Sequence, residues 1–178
     1  MVNRILIANL FFLLIGCRSQ EKHIFKYDET GFTYKNKLTY TGQINLNGFY
    51  YTKYKDSGFG IYMFFSDGYV CSFGSHSLDS ISNNIERIRG IPYFWGAYII
   101  EDDNLKIQNI NSNAGIFEKF RIYEETGLIL NDTTIHMMYK KYPENTYYVI
   151  ELNQRYQFMK LDSIPSSENV LMKCKTCK

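Results

Sequence analysis

From Gly48 onward, aromatic and aliphatic positions come in short runs separated by polar, turn-forming clusters. GFYYTKY and FGIYMFF flank Lys55-Asp56-Ser57-Gly58, and FGIYMFF is parted from YVCSF by Ser66-Asp67-Gly68. Asp-Gly or Ser-Gly between such runs marks a tight hairpin, because glycine adopts the positive φ the turn needs without a steric cost. Three consecutive antiparallel strands are predicted. The period then changes: Leu78, Ile81, Ile85 and Ile88 recur at helical spacing. Ser77 can cap this segment, Asp79 sits in its first turn, Arg87 and Arg89 in its last, and Gly90 and Pro92 stop it. The single apolar stripe of this helix should lie against the sheet or close one end of a barrel.

Strands resume afterwards. YFWGAYIIE and NLKIQNI flank Asp102-Asp103, and GIFEKFRIYEE and GLIL flank Thr126-Gly127. TTIHMMYKK, TYYVIEL and RYQFMKL follow, with Asn131-Asp132, Pro143-Glu144-Asn145 and Asn153-Gln154 as the intervening turns. The total is about eight to ten short antiparallel strands with one helix. Regular spacing of that kind predicts an all-β barrel or sandwich over a βαβ sheet, which would need more crossover helices.

The first twenty residues carry a different signal. One cation, Arg4, precedes the apolar run Ile5 to Ile15, interrupted only by Asn9 and followed by Gly16 and Cys17. That is a signal-peptide layout, and the run is shorter than the roughly 20 apolar residues of a stable membrane span. Leu14-Ile15-Gly16-Cys17 resembles the bacterial lipoprotein box. The resemblance implies cleavage between Gly16 and Cys17 and acylation of Cys17, and two or three acyl chains would hold the protein firmly to a membrane. Arg18, where an aspartate would signal inner-membrane retention, points to the outer membrane of a double-membrane envelope. The expected organisation is a signal peptide at 1–16, a tether at 17–40 with one early strand at most, a β-barrel domain at 41–162 and a tail at 163–178.

The order NGFYY, FFSDGYV, helix, WGAYIIEDDNLKIQ, GLILNDTTI resembles small lipocalin-like lipoproteins of the Bacteroidota type, over residues 45 to 160. Gly48-Phe49-Tyr50 lacks the tryptophan of true lipocalins at this place. The resemblance implies a lipocalin-like barrel or half-open barrel of 8–10 strands with one short helix.

Composition narrows the function. Sixteen tyrosines and thirteen phenylalanines put aromatics at 17%, suited to pleated, half-buried surfaces. A net charge of +2 gives no field for nucleic acid, so no nucleic-acid partner is expected. If Tyr50, Tyr62, Phe64, Tyr98, Ile100, Leu105 and Ile107 face inward, they form either an apolar ligand pocket with phenolic hydroxyls or a packed core; sequence pattern does not separate filled from hollow.

Other candidates are thinner. GSHSLD brings Ser75, His76, Ser77 and Asp79 together in sequence, but no nucleophile elbow surrounds the serines, and helix capping accounts for Ser77 and Asp79. His23, His76 and His136 lack metal-ligand spacing, Glu101-Asp102-Asp103-Asn104 reads as a hairpin turn, and no metal or cofactor is expected. Cys174 and Cys177 form a Cys-x-x-Cys among three lysines in the tail, a candidate disulfide, metal or redox pair without the βαβ context of thioredoxin chemistry. Asp79-Ser80-Ile81, Asp132-Thr133-Thr134 and Asp162-Ser163-Ile164 match an envelope O-glycosylation acceptor pattern.

The expectation is a membrane-anchored, non-enzymatic envelope lipoprotein whose barrel binds a small apolar ligand or an envelope protein. The alternatives are a structural or assembly lipoprotein with a filled core, and a thiol redox or metal factor using Cys174 and Cys177.

Overall fold

The structure, a computed structural model, describes residues 32–34, 42–55, 58–81, 85, 94–110, 122–142 and 145–162. Eight strands form a closed barrel: β1 (Gly48–Lys53), β2 (Phe59–Phe64), β3 (Tyr69–Ser75), β4 (Trp95–Glu101), β5 (Asn104–Ile110), β6 (Ile122–Asn131), β7 (Thr134–Tyr142) and β8 (Asn145–Lys160). Each strand pairs antiparallel with the next, and β8 closes on β1 through Gly48 opposite Lys160 and Tyr50 opposite Phe158. This is the all-β, lipocalin-like barrel expected from the pattern, and closure leaves no open sheet edge.

Two of the turns expected from sequence are absent as turns. GIFEKFRIYEE and GLIL do not form two strands around Thr126-Gly127; residues 122–131 run through as β6, with a register shift at Thr126/Gly127. A bulge absorbs the glycine there, and a Cβ on Gly127 would lie 2.6 Å from the His136 carbonyl oxygen. Likewise TYYVIEL and RYQFMKL are one long strand, β8, which bends at Asn153 with a φ of 46°. Asparagine tolerates that left-handed conformation better than other residues. Hence the barrel has eight strands, the lower end of the eight to ten expected.

The outer face is covered unevenly. β2 and β3 are buried on both faces because Leu78, Ile81 and Ile85, from the segment that is helical at residues 79–81 and 85, lie with Phe49, Met63, Cys71, Phe73 and Trp95 outside the barrel. Thus the helix stripe packs on the barrel wall. Phe32 and Tyr34 cover Ala97, Ile110 and Ile122 on the outer face of β4 to β6. Gln108 holds this segment: its Oε1 accepts from the Thr33 amide at 2.9 Å and its Nε2 donates to Thr33 Oγ1 at 2.9 Å. β7, by contrast, is less covered: buried Ile135 and Met137 alternate with half-buried neighbours, and Tyr139 and Lys141 are exposed to water.

Inside, an aromatic and aliphatic cluster fills the lower half, the end carrying the 65–68, 102–103 and 132–133 turns. Residues 42–47 close this end. Ile44 and Leu46 pack upward into the cluster, while Gln43 Nε2 donates to the Asp102 carbonyl at 2.7 Å and Asn45 Nδ2 to the Asp132 carbonyl at 2.9 Å.

Candidate functional site

The strand period sends Tyr50, Tyr62, Phe64, Tyr98, Ile100, Leu105 and Ile107 to one side of the wall, and all seven meet in the interior cluster. Six of them are packed. Phe64 stacks edge-on against Tyr50 and Tyr98 at centroid distances of 5.7 and 4.9 Å, pairs that each add roughly 0.5–1.5 kcal/mol to burial. The phenols here are tied to backbone: Tyr98 OH donates to the Phe65 carbonyl at 2.8 Å, and Tyr50 OH to the Asp132 carbonyl at 2.5 Å. They hold the lower turns in place.

Tyr62, of the seven, also borders empty space. Above it, at the end opposite the 42–47 segment, lies a cavity of about 410 Å³, within the range of small-ligand sites. Its origin is a size asymmetry around the barrel. On β2 and β3 the inward positions at this end are Gly60, Ser72 and Gly74, whereas β6, β7 and β8 present Tyr123, Glu125, Lys140, Leu152, Gln154 and Tyr156. Gly74 leaves the most room: a Cβ there would meet nothing nearer than the Phe59 carbonyl at 3.8 Å. An eight-stranded barrel is just wide enough to be filled or to hold one small ligand. Here the lower half is filled and the upper half leaves a cavity.

The cavity wall is polar in a specific way. Glu125 is 7% exposed, accepts a short hydrogen bond from Tyr62 OH and a longer one of 3.3 Å from Asn109 Nδ2, and pairs across strands with Lys140. Burial lifts its carboxyl above the usual 4.5, against the opposing pull of those donors and of Lys140. Burial also pushes the Tyr62, Tyr123 and Tyr156 hydroxyls far above 10, so all three stay protonated donors at neutral pH. The Lys140 ammonium lies 3.5 Å from the Tyr123 ring centroid and is lowered from 10.5 by partial burial. Such stacking over a phenol face is worth roughly 0.5–2 kcal/mol. Tyr62 and Tyr156 pack at 4.7 Å, and Tyr54 reaches over Gly60 beside them.

Sequence reasoning named the lower cluster and missed Glu125, Lys140, Asn109, Tyr123 and Tyr156. A signal was present. Gly74 stands in phase with inward Ser72, and a glycine in the inward register leaves room inside the barrel, whereas Tyr54 fills the space over Gly60.

The remaining candidates do not converge on this site. Ser75 Oγ donates to the Ser77 carbonyl at 2.7 Å and Ser80 Oγ to the same carbonyl at 2.8 Å, so these hydroxyls build the turn into the helix; His76 and Asp79 are exposed beside it. His136 Nε2 lies 2.9 Å from Asn153 Oδ1 at the β8 bend. Glu101 pairs with Lys106 at 2.6 Å beside the 102–103 turn. Among the described residues no group of three or more His, Cys, Asp or Glu could hold a metal ion. Cys71 is buried on the outer wall among Met63, Phe73 and Trp95. Gly16, Cys17, His23, Cys174 and Cys177 lie outside the described residues.

Compared with known proteins, the chain matches no family model, no curated protein and no solved structure.

Proposed function

We propose that this protein is a lipid-anchored, non-catalytic envelope lipoprotein that binds one small amphipathic molecule in the upper half of its barrel. The cavity of about 410 Å³ between Gly74 and Glu125 is the observation that carries this reading. The apolar part of a ligand would rest on Leu152, Phe94 and the tyrosine rings, and its polar part would meet Glu125, Lys140 and Gln154. An entirely apolar ligand suits this lining poorly, because it would strip water from the carboxylate without replacing its hydrogen bonds. Anchoring rests on the Leu14 to Cys17 motif, and an outer-membrane address on Arg18.

Native mass spectrometry of full-length protein purified from its own membranes tests both parts. The wild type should carry acyl mass on Cys17 and a dissociable small molecule. Gly74→Leu, which puts a side chain into the cavity, should keep the acyl mass and lose the small molecule. Equal retention by both proteins would place the ligand elsewhere, and an unmodified Cys17 would remove the anchor.

One observation favours a second reading, an envelope protein as partner. Leu130, Tyr139, Tyr148 and Val149 are large apolar residues left 46%, 48%, 57% and 53% exposed on β6 to β8. In-cell cross-linking from Tyr139 should then trap one defined protein, whereas monomer alone under efficient cross-linking would count against it.

A further inference from the structure

The chemistry of the ligand follows from how Glu125 is left. Both of its hydrogen bonds, from Tyr62 OH and Asn109 Nδ2, reach Oε2. Among the described residues Oε1 has no donor, and Glu125 forms no ion pair within 4.0 Å, although the side chain is 93% buried and lines the cavity. An ionised carboxylate offers about four lone-pair directions and is costly to bury half-satisfied. Oε1 is left able to accept from a donor on the cavity side.

The walls agree with a cation. Tyr62, Tyr123 and Tyr156 line the same cavity as the carboxylate, and aromatic faces attract positive charge. Lys140, the one cation lining the cavity among the described residues, is drawn instead onto the Tyr123 ring at 3.5 Å.

Resting on the ligand-binding reading above, we propose that the cavity takes a small molecule with a primary ammonium group on an apolar body, the ammonium donating to Glu125 Oε1. Its three N–H donors match a carboxylate with one open oxygen in a cavity that tyrosines also line. The apolar body extends toward Gly74 and Phe94, where the wall carries no charge.

Isothermal titration calorimetry of the full-length protein in detergent, with hexylamine, hexan-1-ol and hexanoate as probes, tests this. Gly74→Leu serves as the blank for partition into micelles. Hexylammonium should bind at least about tenfold more tightly than either other probe, the factor expected for one charge-assisted hydrogen bond in a buried site. Glu125→Gln should weaken hexylammonium by about tenfold and leave hexan-1-ol within about twofold. Hexanoate as the tightest probe, or equal hexylammonium binding by wild type and Glu125→Gln, would overturn the ammonium assignment while leaving a ligand-binding cavity in place. The comparison of probes on the wild type decides the matter even if Glu125→Gln folds poorly. If none of the three binds the wild type above the blank, the cavity reading itself fails.

Discussion

Replacing Glu125 by glutamine should make the ligand-free protein less dependent on pH and no less stable at neutrality. The carboxyl is 7% exposed and its pKa in the folded chain is raised above 4.5, with desolvation as the leading cause. Between 4.5 and that raised value the folded state binds more protons than the unfolded state, so stability falls as pH rises through this window and levels off above it. Each unit of elevation costs about 1.4 kcal/mol once the group is ionised in both states. Glutamine keeps an oxygen to accept from Tyr62, and the Asn109 contact it weakens is already long at 3.3 Å, worth roughly 1 kcal/mol or less. The two effects leave Glu125→Gln equal to or more stable than wild type at neutral pH, by on the order of 1 kcal/mol, with the advantage vanishing in acid. Urea unfolding followed by Trp95 fluorescence at steps from about pH 5 to about pH 8 measures this directly. A wild-type stability that rises with pH across that range, or a variant profile parallel to wild type, would refute the argument.

Ile107→Ala, at a fully buried position in the packed lower half, should cost about 2–5 kcal/mol in the same unfolding assay. Gly127→Val should destabilise more than Gly74→Val, because its Cβ meets the His136 carbonyl at 2.6 Å whereas the one on Gly74 meets nothing nearer than the Phe59 carbonyl at 3.8 Å; a reversed order of urea midpoints would contradict the bulge. Gln108→Ala removes the acceptor of the Thr33 amide and should raise amide exchange at Thr33 and Tyr34 without moving the exchange of interior Tyr98. Cys71 should resist thiol reagents until the barrel unfolds, since it is fully buried against Trp95 and Met63.

The strand order was legible because a period-two run broken by Asp-Gly, or by Asp102-Asp103, has few other solutions. Gly68 takes a φ of 87° and Asp102 one of 55°, as those turns require. The same logic failed at Thr126-Gly127 and Asn153-Gln154, where glycine and asparagine serve a bulge and a bend inside one strand. Local composition cannot separate these from a turn; the difference lies in whether the next strand pairs with the same neighbour, as β8 does with β7 on both sides of Asn153. The inward set from Tyr50 to Ile107 was readable for a similar reason, since alternation fixes the face. Whether a face is filled depends on what stands across the barrel, and that pairing of Gly74 and Ser72 with distant Glu125 and Tyr156 is not a local property of the chain. Glu125 itself sits in a run of charged and polar residues, RIYEET, that looks solvent-facing until the closed barrel turns every second residue inward.

The most direct measurement is fluorine NMR of protein labelled with fluorotyrosine, recorded before and after adding the small molecule recovered from the native protein. The account predicts shifts at Tyr62, Tyr123 and Tyr156, which line the cavity, and unchanged signals at Tyr50 and Tyr98, which are locked into the packed lower half. Shifts confined to Tyr139 and Tyr148 on the exposed strands, with the cavity tyrosines still, would contradict a ligand site inside the barrel.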